Sequence, residues 1–115
     1  MFEGPHGAIC ARLLPLVMAA NLSALRARQR ESPVLARYEH VARLLTGNAA
    51  ARAEDGISWA SELTRELGIP PLSSYGMSGA DIPQVVERAR AASSMKGNPI
   101  ELTGAELAGV LERAL

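Results

Sequence analysis

The chain has 115 residues, enough for one domain and too few for two of ordinary size. Its 12 Lys and Arg balance 12 Asp and Glu, which removes the basic excess that a nucleic acid or an anionic membrane surface selects for. A single cysteine, Cys10, excludes an intrachain disulfide and makes a reducing compartment, the cytoplasm, the default.

Ala and Leu dominate a hydrophobic fraction of 48%, and the aromatic residues are only Phe2, Tyr38, Trp59 and Tyr75. Ala and Leu form helices readily, whereas sheets draw on β-branched and aromatic residues, so the composition predicts an all-α domain spanning residues 1–115. The pattern divides into five helices. The first runs from about Gly7 to Arg28, with Ile9, Leu13, Leu16, Val17 and Ala20 at helical spacing and Pro15 predicting a kink or a break. Its end carries Arg26, Arg28 and Arg30, which fan around the cylinder and read as a solvated helix end. The longest apolar run, Leu13 to Ala20, contains Pro15 and falls short of the ~20 residues that span a bilayer.

Ser32-Pro33 is an N-cap followed by a first-turn proline. The second helix then runs through Val34, Leu35, Tyr38, Val41, Ala42 and Leu45 to Gly47-Asn48. A third stretch covers Ala49 to Leu67, with a possible interruption at Asp55-Gly56 and a firm stop at Gly68-Ile69-Pro70-Pro71. Leu72 to Gly79 reads as a connection. The fourth helix starts near Asp81-Ile82-Pro83, with Asp81 as cap, and the fifth after Thr103, whose pairing with Glu106 is a T-x-x-E capping box. Apolar stripes on one side of each helix predict an irregular helical bundle.

Candidate chemistry is sparse. His6, between Pro5 and Gly7, shares a helical face with Cys10, and such a pair can ligate a metal. Two ligands are too few, because zinc and iron sites take three or four protein groups. From spacing alone His6 reads as a helix-start residue and Cys10 as a small core residue. His40 lies off the apolar stripe, Trp59 reads as a packing anchor, and Glu62, Arg65 and Glu66 read as a solvated face. The serines have neither a nucleophile elbow nor a positioned base, and no glycine-rich phosphate loop follows a strand.

The string PHGAICARLLPLVMAANL resembles the P-H-G-x-x-x-A-x-x-L-P-x-V-M-x-x-N segment of the iron-containing (group III) alcohol dehydrogenases. RYEHVARLLTG, SWASELTRELGIPPLSSYG and SSMKGNPIELTGAELAGVLERAL are similar to that family's closing helices, Gly-Asn-Pro loop included. The resemblance implies the all-helical C-terminal domain of a metal-dependent NAD(P) oxidoreductase, in which a divalent iron or zinc ion polarises the alcohol or aldehyde oxygen during hydride transfer. It places the last of four metal ligands, one aspartate and three histidines, on His6. The other three, and the nucleotide-binding α/β domain, would precede Met1 and are absent from this sequence. Leu16 stands where the family often has histidine. Asn98 and Pro99 are expected to shape a turn that helps close the cleft.

Two expectations follow from the resemblance. In the first, the chain is the metal-site portion of such an enzyme, inactive alone and binding neither metal nor nicotinamide tightly, with a separate nucleotide-binding chain as its partner. In the second, it is a self-standing association module whose apolar surface, sought in Phe2 to Val17, is covered by self-association. Neither involves nucleic acid or membrane.

Overall fold

The computed structural model describes residues 6–92 and 97–115. Those residues form five α-helices, α1 (His6–Arg28), α2 (Pro33–Thr46), α3 (Ala53–Glu66), α4 (Ile82–Ala91) and α5 (Gly104–Ala114), with short 3-10 turns at Leu72–Tyr75 and Gly79–Asp81. No strand occurs among them. The all-α irregular bundle is what the composition and the stripes predict.

Most helix ends follow the sequence punctuation. Ser32 Oγ accepts the Val34 N–H at 3.3 Å, and Pro33 needs no partner at the first position. Gly47 ends α2 in the left-handed region, φ 69°, donating to Arg43 O at 3.0 Å. At α5, Thr103 Oγ1 accepts the Glu106 N–H at 3.1 Å, and the Glu106 carboxylate accepts the Thr103 N–H at 2.8 Å.

Three boundaries differ from expectation, each for a local reason. The third helix starts at Ala53, because Asn48 Oδ1 takes the Ala50 N–H at 2.9 Å and holds the preceding residues in a turn. Asp55 opens this helix by accepting the Arg52 N–H at 2.8 Å, and Gly56 lies within it. Asp81 caps no α4 amide; its carboxylate takes the Ser78 N–H at 2.9 Å and closes the preceding turn. Pro15 is buried inside α1, and of the kink or break expected there the break does not occur.

Two apolar clusters hold the bundle. Ala24 and Leu25 of α1 join Ile100, Leu102 and Leu107 in one. Leu72, Met77 and Ile82 join Leu111 and Ala114 in the other, against the Ile9, Leu13 and Leu16 edge of α1. Helices α1 and α5 therefore run through both, and the 72–81 segment, expected as a plain connection, contributes to the core. By length and composition α1 could cross a membrane; here it packs on α2, α3 and α5, with Leu22, Ala24 and Leu25 buried.

The arginine fan at the end of α1 is a set of tertiary ties. Arg26 pairs with Glu54 at 2.5 Å, while Arg28 pairs with Glu106 and donates to Glu101 O, both at 3.0 Å. The angular spread lets Arg26 reach α3 and Arg28 reach α5, while Arg30 Nε donates back to Arg26 O at 3.1 Å. Hydrogen bonding to Arg28, and then to the Thr103 amide, holds the Glu106 carboxyl below its usual range. Arg26, and then a backbone amide, do the same for Glu54. Trp59, read as a packing anchor, is 38% exposed on α3.

Two predictions follow. A Cβ on Gly56 would stand 2.9 Å from both Cα and Cβ of Ala42, so Gly56→Ala should cost about 1–3 kcal/mol of unfolding free energy in urea titrations by forcing α2 and α3 apart. Because the Glu54 and Glu106 carboxyls are depressed on folding, their contribution is present above the unfolded glutamate value, about 4.3, and is lost as pH falls through the lower folded values. Thermal melts from neutral pH down through that range should show a shallower acid loss in a Glu54→Gln/Glu106→Gln variant than in the wild type.

Candidate functional site

His6 is the first residue of α1, and its imidazole lies outside the described side chains. The helix continues from it with Gly7, Cys10 and Leu14, all exposed and aligned by their three- and four-residue spacing. Leu14 is 54% exposed. Cys10 is thus a surface residue and not the core residue that its apolar neighbours indicated: Ile9, Leu13 and Leu16 take the packed face, and Cys10 stands on another. Gly7, Cys10 and Leu14 form an exposed line along the N-terminal half of α1.

Seven residues beyond Leu14 the same line reaches Asn21, which is only 3% exposed. Asn21 Nδ2 donates to Asn98 Oδ1 at 3.0 Å and to the Tyr38 hydroxyl at 3.2 Å. In return Asn98 Nδ2 donates to Asn21 Oδ1 at 2.7 Å and to Ile100 O at 2.7 Å. All four amide hydrogens of the pair are used, so burial leaves no unmet donor. Asn98 does shape its turn, through Ile100, and also fastens that turn to α1. Sequence reasoning missed Asn21; its signal is a lone polar residue inside the apolar MAANL stretch.

These residues do not assemble a metal site by themselves. Among the described residues no three His, Cys, Asp or Glu side chains stand close enough to hold an ion. His40 is exposed on α2. A four-ligand cage therefore does not fit the described side chains of this chain taken alone.

An open groove of about 900 Å³ lies between α1, α3, the 68–71 turn and α5, lined in part by Arg12, Arg65 and Arg113. Its arginines are committed to helix ends. Arg12 Nε donates to Ala114 O at 3.3 Å, Arg65 pairs with Glu62 at 2.6 Å, and Arg65 and Arg113 occupy the last turns of α3 and α5. Positive charge is favourable there because the helix dipole ends negative. The Glu62–Arg65 pair is solvated, as its spacing indicated.

The family model for the C-terminal part of the Fe-containing alcohol dehydrogenase family matches residues 1–115. No curated protein and no solved structure matches the chain.

The amide pair makes a direct stability prediction. Asn21→Leu leaves the Asn98 amide and the Tyr38 hydroxyl without their partner, and Asn98→Ala strands the buried Asn21. Each should cost about 1–3 kcal/mol in urea titrations. The double variant should cost less than the sum, because the second substitution removes a group already unpaired.

Proposed function

Because the chain belongs to the iron-containing alcohol dehydrogenase family, matching its C-terminal model over residues 1–115, we propose that it is the metal-site portion of an NAD(P)-dependent alcohol dehydrogenase-like oxidoreductase and does not turn over substrate alone. His6 is the metal ligand this chain contributes, carried at the start of α1 within the P-H-G motif. The chain's other histidine, His40, is exposed on α2, and the family resemblance assigns one aspartate and two further histidines, as well as the fold that holds the nicotinamide, to a segment outside this sequence. A separate nucleotide-binding polypeptide segment is the partner this requires.

The observation that carries the reading is the exposed line of Gly7, Cys10 and Leu14 beside His6, on a helix whose Ile9, Leu13 and Leu16 face is packed. An apolar helical stripe next to a ligand position is the surface a completing segment would cover. The rest of the chain keeps that helix in place: Arg12 ties it to the end of α5, and Asn21 ties it to the 97–100 turn. The lone, surface-placed thiol and the absence of any net charge fit a cytoplasmic setting.

Assays of the purified chain with NAD(H) or NADP(H), iron or zinc, and short alcohols should show no turnover. Cobalt titration should show no ligand-field bands of a stoichiometric protein site. Turnover by the isolated chain that disappears in His6→Ala would overturn the proposal. Addition of a family member's nucleotide-binding portion should give metal-dependent turnover that requires His6.

A further inference from the structure

The open groove of about 900 Å³ beside Arg12, Arg65 and Arg113 plays no part in the His6 reading. Two long-range bonds explain why three arginines meet there. Thr64 Oγ1 donates to Ala11 O at 3.4 Å, and Arg12 Nε donates to Ala114 O at 3.3 Å. Arg12 follows Ala11, Arg65 follows Thr64 and Arg113 precedes Ala114, so both bonds draw the arginines of α1, α3 and α5 to one end of the groove. Along the rest of it α1 and α3 lie antiparallel, as the Thr64–Ala11 and Glu54–Arg26 ties at their opposite ends require. Ser58 and Ser61 on α3 are too short to fill the seam, and Leu16, Ile57 and Ile69 give it apolar walls. A further recess of about 370 Å³ shares Ile57 and Ser58 with it and continues toward Ala19 and Leu22.

Charge at the arginine end does not cancel. Three guanidinium groups face a single lining carboxylate, Glu62, in a chain whose total charge is zero. The C-terminal ends of α3 and α5 add about half a negative charge each, which leaves an excess of about one positive charge. Nor are the donors used up. Arg12 and Arg65 each commit a single N–H, and Arg113 is exposed with no hydrogen bond or ion pair among the described residues.

We infer that the groove binds a small organic monoanion, a carboxylate with a short apolar body. The carboxylate lies among Arg12, Arg65 and Arg113, and the hydrocarbon runs along Leu16 and Ile57. An excess near one charge suits a monocarboxylate better than a phosphate dianion, and guanidinium groups hold carboxylates through paired N–H donors. The apolar body displaces water from the Leu16 and Ile57 walls, which a bare anion leaves wet. Arg113 has the most to gain, since it gives up no native bond.

Amide-resolved NMR titration of the full chain with hexanoate should give saturable shifts at residues 58–71 and at Arg113, with a Kd on the order of 1 mM. Acetate has the head without the body and hexan-1-ol the body without the head, so each should bind about tenfold more weakly. Arg113→Ala should keep the circular dichroism spectrum and weaken hexanoate binding about tenfold. Glu62→Gln removes the one lining carboxylate and should tighten hexanoate binding about threefold, a gain that poor folding would not produce. Absence of saturable shifts overturns the proposal, as does acetate or hexan-1-ol matching hexanoate. Hexanoate affinity unchanged by either substitution overturns it as well.

Discussion

An amide side chain in the middle of a long apolar helix has to find its hydrogen bonds inside the fold, and Asn21 finds them in a turn that lies 77 residues further along the chain. The reciprocal pairing with Asn98 fixes the 97–100 turn against α1, and Tyr38 adds α2 to the same point. From there Ile100 and Leu102 drop into the cluster formed with Ala24 and Leu25, and Thr103 starts α5 one residue later. Apolar burial alone is non-directional and would accept the C-terminal segment in several positions. The amide pair is directional and accepts one. Among the described residues no buried side-chain polar atom is left without a partner, so the bonds formed offset the desolvation cost of the buried amides.

How much of this was legible in advance differs with the range over which the physics acts. Ser32, Gly47 and the Thr103–Glu106 box announce helix ends because capping is settled within four residues. The start of α3 was harder, since Asn48 and Asp55 each have helical and turn-forming roles and only their actual bonds decide between them. Burial was least legible. Cys10 and Trp59 are of residue types common in cores, but what covers a side chain is decided by distant elements, and both are exposed here. The arginines at the end of α1 are exposed, as a solvated helix end should be, but the pairing of Arg26 and Arg28 was not legible, because Glu54 and Glu106 lie far off in sequence.

For the candidate site the balance is reversed. His6 was visible only as part of a string, P-H-G before a helix, and no periodicity or spacing argument could have raised it above an ordinary helix-start residue. The fold contributes what the string could not, namely that the helix leading from His6 is bare along Gly7, Cys10 and Leu14 and anchored at Asn21. A helix packed along Ile9, Leu13 and Leu16 and exposed along Gly7, Cys10 and Leu14 is suited to receive a second body on that exposed line without rearranging the first.

Glu106 shows a further economy. The carboxylate that satisfies the first amide of α5 is also the one that Arg28 grips. An eleven-residue helix is too short to persist by itself in water, so α5 gains its order only on docking. With one side chain serving as both cap and tether, winding of the helix and arrival of its neighbour become a single event. A half-formed C-terminal segment is thereby denied a stopping point on the way to the native bundle.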